Sequence, residues 1–435
     1  MRKILLSSVC FLSLLAAGLV VQASPAYAEV VITCQRCQAS PTDVFSQSRY
    51  EVVQAFNAAN KGKYRIDVQL FGGKNENDLS YWERLALAGA LPDILVAQST
   101  QLQTLAKTGK LVDLAPFLAK DMAWKDSFYP DSFQSLTGPD GRIWGIAEER
   151  DLVGIFYNKD LFKKAGISRF PVTWDEFVQD CRKLKTSGVI PFAMDGDWVT
   201  QLMWANLIGT QPGGEQFLFG GIAKGSYAGN PIVVKATEFL KKLHTDGFVN
   251  KDAFTGDYPN AANPFLQAQA AMIANGPWMV QADIKGKSAL PNLYDQMGYE
   301  LSPGWAADGQ GVIVLSGNAG WASGSTNQAK KEAAVAFMKF TTSPAIQLQR
   351  TIATGAYWAV KLKLAPDQVK QLEPLTYALV QAGDRAKYHY PHAKYATPQA
   401  FSDAWKNYWP GYVQGAMSTK DFLDKLSSAI SSAGK

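Results

Sequence analysis

Between residues 30 and 109 the chain alternates short β-branched runs with stretches of helical periodicity, and this alternation limits the fold more than any other feature. Val30-Val31-Ile32 is a β-branched run. Tyr50 to Asn60 sets Val52, Val53 and Phe56 on one face at helical spacing. Tyr64 to Leu70 alternates Ile66, Val68 and Leu70, the period of a half-buried strand. Trp82, Leu85, Ala86 and Gly89 mark another helix, and Pro92-Asp93-Ile94-Leu95-Val96 a third strand. Leu102, Leu105 and Ala106 follow on a helix that Gly109 ends. Parallel strands need a crossover, which a helix supplies, so the pattern predicts an α/β lobe with a largely parallel sheet.

A second lobe is expected from near residue 152. Leu152 to Tyr157 reads as a strand, Asp160 to Ala165 as a helix, and Ile190 to Met194 as another strand. Thr173-Trp174-Asp175-Glu176 is a capping box opening a helix that carries Phe177, Cys181 and Leu184. Ser325-Thr326-Asn327-Gln328 reads as a second box, and Ser343-Pro344 as a helix start with Pro where its missing N–H costs nothing. Gly298 to Gly324 is Gly-rich around a strand at Val312 to Leu315. A chain of 435 residues suits two or three lobes, since single cores stop growing near ~250–300 residues.

Residues 1–28 read as a leader rather than structure. Arg2 and Lys3 precede the apolar Ile4 to Val21, and Ala26-Tyr27-Ala28 is an A-x-A cleavage site, so Glu29 begins the mature chain. The mature product is expected in the periplasm, without a lipoprotein signal at Cys10. Cys34, Cys37 and Cys181 then remain. Cys34-Gln35-Arg36-Cys37 is either a reactive redox pair or a small structural disulfide, and the disulfide is the preferred reading. Cys181 sits at helical core spacing and reads as a buried free thiol.

Net charge is +5, two units of it from Arg2 and Lys3, and no long basic run argues for nucleic acid. No G-x-S-x-G, H-E-x-x-H, P-loop or dinucleotide fingerprint occurs. Three His leave acid–base chemistry to carboxylates, so a glycosidase pair stays open. Tyr388-His389-Tyr390-Pro391-His392 reads as a surface loop rather than a metal site. No metal and no cofactor is expected.

Several tracts in order carry a family resemblance: Gly89-Ala90-Leu91-Pro92-Asp93-Ile94, Trp144-Gly145-Ile146-Ala147, Ile155 to Gly166, Thr173 to Phe177, Ala271-Met272-Ile273-Ala274-Asn275-Gly276-Pro277-Trp278, and Ala333 to Phe340 with Ser343-Pro344. Together they resemble the extracellular solute-binding proteins of carbohydrate ABC importers, the family similar to maltose-binding protein. The resemblance implies two α/β lobes of the type II periplasmic-binding-protein fold, with a ligand cleft between them and multiple chain crossings. Residues 29–151 plus 319–365 would form one lobe, and 152–318 plus 366–435 the other. It implies a carbohydrate ligand, the transmembrane subunits of a permease as partner, and a monomer. The competing readings are the same fold around a non-sugar solute, and a secreted enzyme (a carboxylate glycosidase or a thiol oxidoreductase).

A sugar offers hydroxyls at its edge and a weakly polar C–H face, so its site wants flat aromatics and planar polar groups. By the resemblance Trp278 enters the cleft, and Asp151 is the carboxylate at the lobe crossing, with Glu148 and Glu149 as competitors. Asp197 and Trp198 follow the strand Ile190 to Met194, and strand carboxyl ends are where ligands gather. Ser99 and Gln101 follow Ile94-Leu95-Val96 in the same sense, although the family often has an aromatic or charged residue there. Gln35 and Arg36 enter from spacing alone: a Cys34–Cys37 bridge would aim Arg36. Trp358, within Gly355-Ala356-Tyr357-Trp358, is a cleft candidate because two adjacent aromatics are hard to bury together. Asn318 and Trp321 are weaker candidates, and Trp405 and Trp409 read as core. Core packing competes with the ligand role for each Trp.

Overall fold

The computed structural model describes residues 28–73 and 78–433, so residues 1–27 of the expected leader lie outside it. The described residues form eleven strands: β1 (Val30–Gln35), β2 (Tyr64–Gln69), β3 (Ile94–Gln98), β4 (Ile146–Ala147), β5 (Arg150–Asn158), β6 (Ile190–Ala193), β7 (Ala270–Asn275), β8 (Met297–Glu300), β9 (Gly311–Ser316), β10 (Ala319–Ala322) and β11 (Tyr388–Tyr390). They make two sheets, ordered β2-β1-β3-β10-β4 and β11-β9-β5-β7-β6, with β8 also on β5.

Both sheets contain antiparallel pairs, but the first is largely parallel as expected, with β1, β2, β3 and β4 running one way and β10 against them. In the first, β1 is parallel to β2 and β3, but β10 runs antiparallel to β3 and β4. In the second, β5 is antiparallel to β7, β8 and β9, while β6–β7 and β9–β11 are parallel. The antiparallel partners arrive through the short crossings between sheets, which need no helical crossover.

Each sheet has its own apolar core. Around the first, Ile32, Val52, Phe56, Leu95, Trp321 and Phe337 are buried together. Around the second, Phe156, Trp174, Trp204, Met272, Val314, Trp405 and Trp409 are buried, and the core draws on residues up to Ile430. A third, small cluster holds Tyr357, Trp358 and Leu372. Truncating one of the large buried aromatics would cost ~3–5 kcal/mol in lost transfer energy and cavity.

Local chemistry explains the helix starts. Thr173 Oγ1 accepts the Glu176 N–H at 3.2 Å and caps Trp174–Thr186, while the Glu176 carboxylate reaches back to the Val172 N–H at 2.9 Å. The second box is displaced: Asn327, not Ser325, caps Gln328–Thr341. Ser325 instead donates to Asp93 Oδ1 at 3.0 Å, and Asp93 Oδ2 takes the Thr33 N–H at 3.0 Å and Lys330 Nζ at 2.9 Å. A buried carboxylate that organises three segments outranks one cap.

The chain passes between the sheets at β4–β5, at β9–β10, and again between Val360 in the first core and Leu379 in the second. These crossings are pinned to one another. Glu149 bridges Trp358, and Asp151 Oδ1 accepts the Tyr357 N–H at 2.7 Å. Arg150 pairs with Asp131 at 3.1 Å, and Ser316 Oγ donates to the same carboxylate at 3.2 Å.

Candidate functional site

Strands β6 and β7 are parallel, so their carboxyl ends share one edge. After β6 comes Met194-Asp195-Gly196-Asp197-Trp198. Asp195 Oδ1 accepts the N–H groups of Asp197 and Val199 at 3.0 Å and of Thr200 at 3.3 Å, which anchors the start of helix Trp198–Gly209. Burial pushes the Asp195 carboxyl up to about 6. After β7 comes Asn275-Gly276-Pro277-Trp278, where Asn275 Oδ1 accepts the Gly276 N–H at 2.8 Å.

These two turns bring Trp198 and Trp278 together. Both are half-buried, with ring centroids 5.8 Å apart and planes tilted by 55°. Tyr258 meets Trp198 edge-on at 6.1 Å, and its hydroxyl takes a hydrogen bond from Asn275 Nδ2 at 2.8 Å. His392 stacks on Trp198 at 5.8 Å and 17°. It is wholly buried, not part of a surface loop. Its Nδ1 accepts the Lys394 N–H at 2.8 Å, so Nε2 carries the proton toward the Trp198 carbonyl at 3.3 Å. Burial pushes its pKa down to about 3, and the ring is a neutral backing for Trp198. The indole of Trp278 lies over Gly276, where a Cβ would stand 2.0 Å from Cη2. Gly355, which ends helix Pro344–Thr354 just before the third crossing, approaches the Pro277 carbonyl, so this aromatic pair sits beside the crossings.

The first sheet contributes a polar edge next to the same crossings. Ala319 is paired with Gln98, and the Ser99 N–H donates to the Asn318 carbonyl at 2.9 Å. Ser99 Oγ and Asn318 Oδ1 are buried with no hydrogen-bond partner among the described residues. Gln101 Oε1 accepts the Gln98 N–H at 2.8 Å. Gln35 accepts from the Tyr81 hydroxyl at 3.0 Å, and Arg36 Nη1 donates to the Val96 carbonyl at 2.9 Å. Behind this edge Glu148 is buried and takes a two-pronged bond from Arg49 (2.7 and 2.9 Å) and another from Arg350. The Arg49 and Arg350 guanidiniums, with Arg36 nearby, bring its carboxyl down to about 2 against a strong opposing effect of burial.

Three candidates are placed elsewhere. Trp321 is fully buried and packs edge-on against Phe337 at 5.1 Å, because its phase on β10 points it at helix Gln328–Thr341. Asp151 is fully buried at the crossing and serves the Tyr357 backbone. Trp358 lies in the third core with its indole N–H on the Tyr129 hydroxyl. Tyr357 and Trp358 are buried together after all, packed edge-on with ring centroids 5.6 Å apart in the same small cluster. Asp197 is close to the aromatic pair but engaged by Lys406 at 2.9 Å and Gln201 at 2.8 Å. His392, Tyr258, Asp195, Arg49 and Arg350 were missed. Of these only Asp195, two residues past the end of β6, had a signal in the sequence.

The Cys34 and Cys37 sulfurs are bonded, and Cys181 is a buried free thiol. Neither half of the pair has exposed surface.

Two sheets with separate cores, joined by pinned crossings and ending in aromatic and polar groups beside them, define a solute-binding protein fold. The chain belongs to the bacterial extracellular solute-binding protein family, whose model matches residues 38–348. The multiple sugar-binding protein of Streptococcus mutans is 25% identical over 64% of this chain and 69% of its own length. The diacetylchitobiose binding protein DasA of Streptomyces coelicolor is 25% identical over 67% of this chain and 65% of its own. A solved chitin oligosaccharide binding protein superposes with a TM-score of 0.76 at 24% identity, covering 93% of this chain and 99% of the other. No described helix is long and apolar enough to cross a membrane.

Proposed function

We propose that this protein is the sugar- or oligosaccharide-binding subunit of an ABC importer, exported to the periplasm by residues 1–28, acting as a monomer and handing its ligand to the permease without turnover. The observation that carries this reading is the half-buried Trp198–Trp278 pair at the carboxyl edge of β6 and β7, next to the crossings. An indole face buries the C–H face of a sugar ring and excludes water from neighbouring hydroxyl contacts. Ser99 and Asn318, with unpartnered oxygens on the opposing edge, suit the hydroxyls once the lobes close. Lobes of residues 29–151 plus 319–365 and 152–318 plus 366–435 accord with the two cores. The names of the relatives favour a carbohydrate over other solutes.

Thermal melting across a panel of mono- and oligosaccharides tests this. Ligand at 100 times Kd adds roughly 2.7 kcal/mol to the folded state. At least one sugar should raise Tm and be recovered unchanged by chromatography. Stabilisation by a glycerol phosphate, polyamine or peptide, with none by sugars, would move the reading to another solute. Hydrolysis or oxidation of the sugar would move it to an enzyme.

A further inference from the structure

Arg36 is one of two non-glycine residues with positive φ among the described residues, at 64°. A residue with a Cβ avoids that conformation unless its surroundings impose it. Two constraints do so here. Cys34 is fixed on β1, paired on one side with Val68 and on the other with Ile94. Cys37 is tied back to Cys34 across only two intervening residues, with the Cα atoms 6.0 Å apart. The chain must therefore reverse within Gln35-Arg36. The reversal sends the Arg36 side chain inward: it is 7% exposed, its Nη1 is held by the Val96 carbonyl of β3 at 2.9 Å, and its charge acts on Glu148 at the first crossing. Gln35 is turned the other way, to Gln69 and Tyr81.

We propose that the Cys34–Cys37 bridge is a positioning element of the ligand site, locking Arg36 against β3 and the Glu148 crossing so that the edge carrying Gln35, Ser99 and Asn318 is formed before ligand arrives. Both sulfurs are fully buried in the core of this lobe, which suits a fixed brace and not a redox centre in exchange with solvent thiols. Without the bridge, Arg36 returns to an ordinary backbone conformation and its guanidinium leaves the Val96 carbonyl. Binding must then include the ordering of that edge.

The test compares wild type with Cys34→Ser/Cys37→Ser, and with Cys34→Ala/Cys37→Ala should the first fail to fold. Each is treated with phenylglyoxal, an arginine-selective dicarbonyl, and mapped by peptide mass spectrometry. Arg36 should be protected in wild type and labelled at least about tenfold faster without the bridge, while Arg49 and Arg350 stay protected in both. Unchanged protection of Arg36 overturns the proposal. So does simultaneous exposure of all three arginines, which marks the bridge as a general stabiliser. This arm needs no ligand. The second arm rests on the sugar-binding reading and uses the sugar that gives the largest thermal shift. Removing the bridge should weaken binding about tenfold, the weight of one hydrogen bond to a charged group. Arg36→Gly, which deletes the side chain where glycine fits the backbone, should cost the same, and the triple variant no more than either. Additive losses overturn the coupling. A panel with no hit sinks the sugar reading and leaves the labelling result to decide this one.

Discussion

Replacing Gly276 with Ala should displace the Trp278 indole and weaken ligand binding while sparing the fold. The new Cβ would stand 2.0 Å from Cη2 and Cζ3 and 2.6 Å from Cε3 of Trp278. Ordinary contact begins at 3.4 Å, so the ring must retreat by about 1.4 Å. Gly276 is not among the glycines with positive φ, so Ala meets no backbone penalty there. The clashing atoms are the free end of a half-buried side chain, which swings away cheaply. Losing a buried anchor aromatic costs binding roughly 2–4 kcal/mol, and a radial gap of ~0.5–1 Å already forfeits a quarter to a half of a contact. Gly276→Ala should therefore cost about 1–2 kcal/mol, a ~5- to 30-fold rise in Kd. Trp278→Ala should cost the full ~2–4 kcal/mol. Titration calorimetry gives the affinities, and a melt of the same samples gives stability, expected within ~1 kcal/mol of wild type for Gly276→Ala. Wild-type affinity in both variants, or a large fall in Tm with unchanged Kd, would refute the stacking role.

Glu148→Gln removes the buried carboxylate that Arg49 and Arg350 share and should destabilise by ~3 kcal/mol or more in a denaturant melt. Because the Glu148 carboxyl is lowered from 4.5 to about 2, its stabilisation is complete above the unfolded value and lost as pH falls from 4.5 toward 2; the Gln variant should lack that part of the acid limb. Asp195 has the opposite sign: raised from 3.8 to about 6, it binds the extra proton in the folded state, so its contribution declines as pH rises between those values. Asp195→Asn should flatten the pH dependence of Tm in that window, and an unaltered profile would mean that Asp195 is not the titrating group. Thiol counting on denatured, non-reduced mature chain should find one reactive cysteine, Cys181; three would mean that Cys34 and Cys37 are not bridged.

Local patterns made much of the fold legible. β1, β2, β3, β5, β6 and β9 coincide with β-branched or alternating runs, and two helix starts follow from chemistry within a few residues, one from the Thr173 cap and one from Pro344 at the first helical position. What the sequence leaves undetermined is the partner of each strand. The short strands β4, β8, β10 and β11 carry too few residues to show a period, and nothing along the chain marks β5 and β10 as the strands that run against their neighbours. The same holds for the candidate site. Trp198 and Trp278 were legible because each directly follows a strand or a recognisable turn. Trp321 and Trp358 look alike in sequence, yet the tertiary structure buries both, one by its phase on β10 and the other in a small core at the crossings. Arg49, Arg350 and Glu148 lie far apart in the chain, and His392 reaches Trp198 from 194 positions away. Backbone propensity acts over a few residues and can be read along the chain. Burial, ion pairing and stacking depend on which surfaces meet, and only the folded chain decides that.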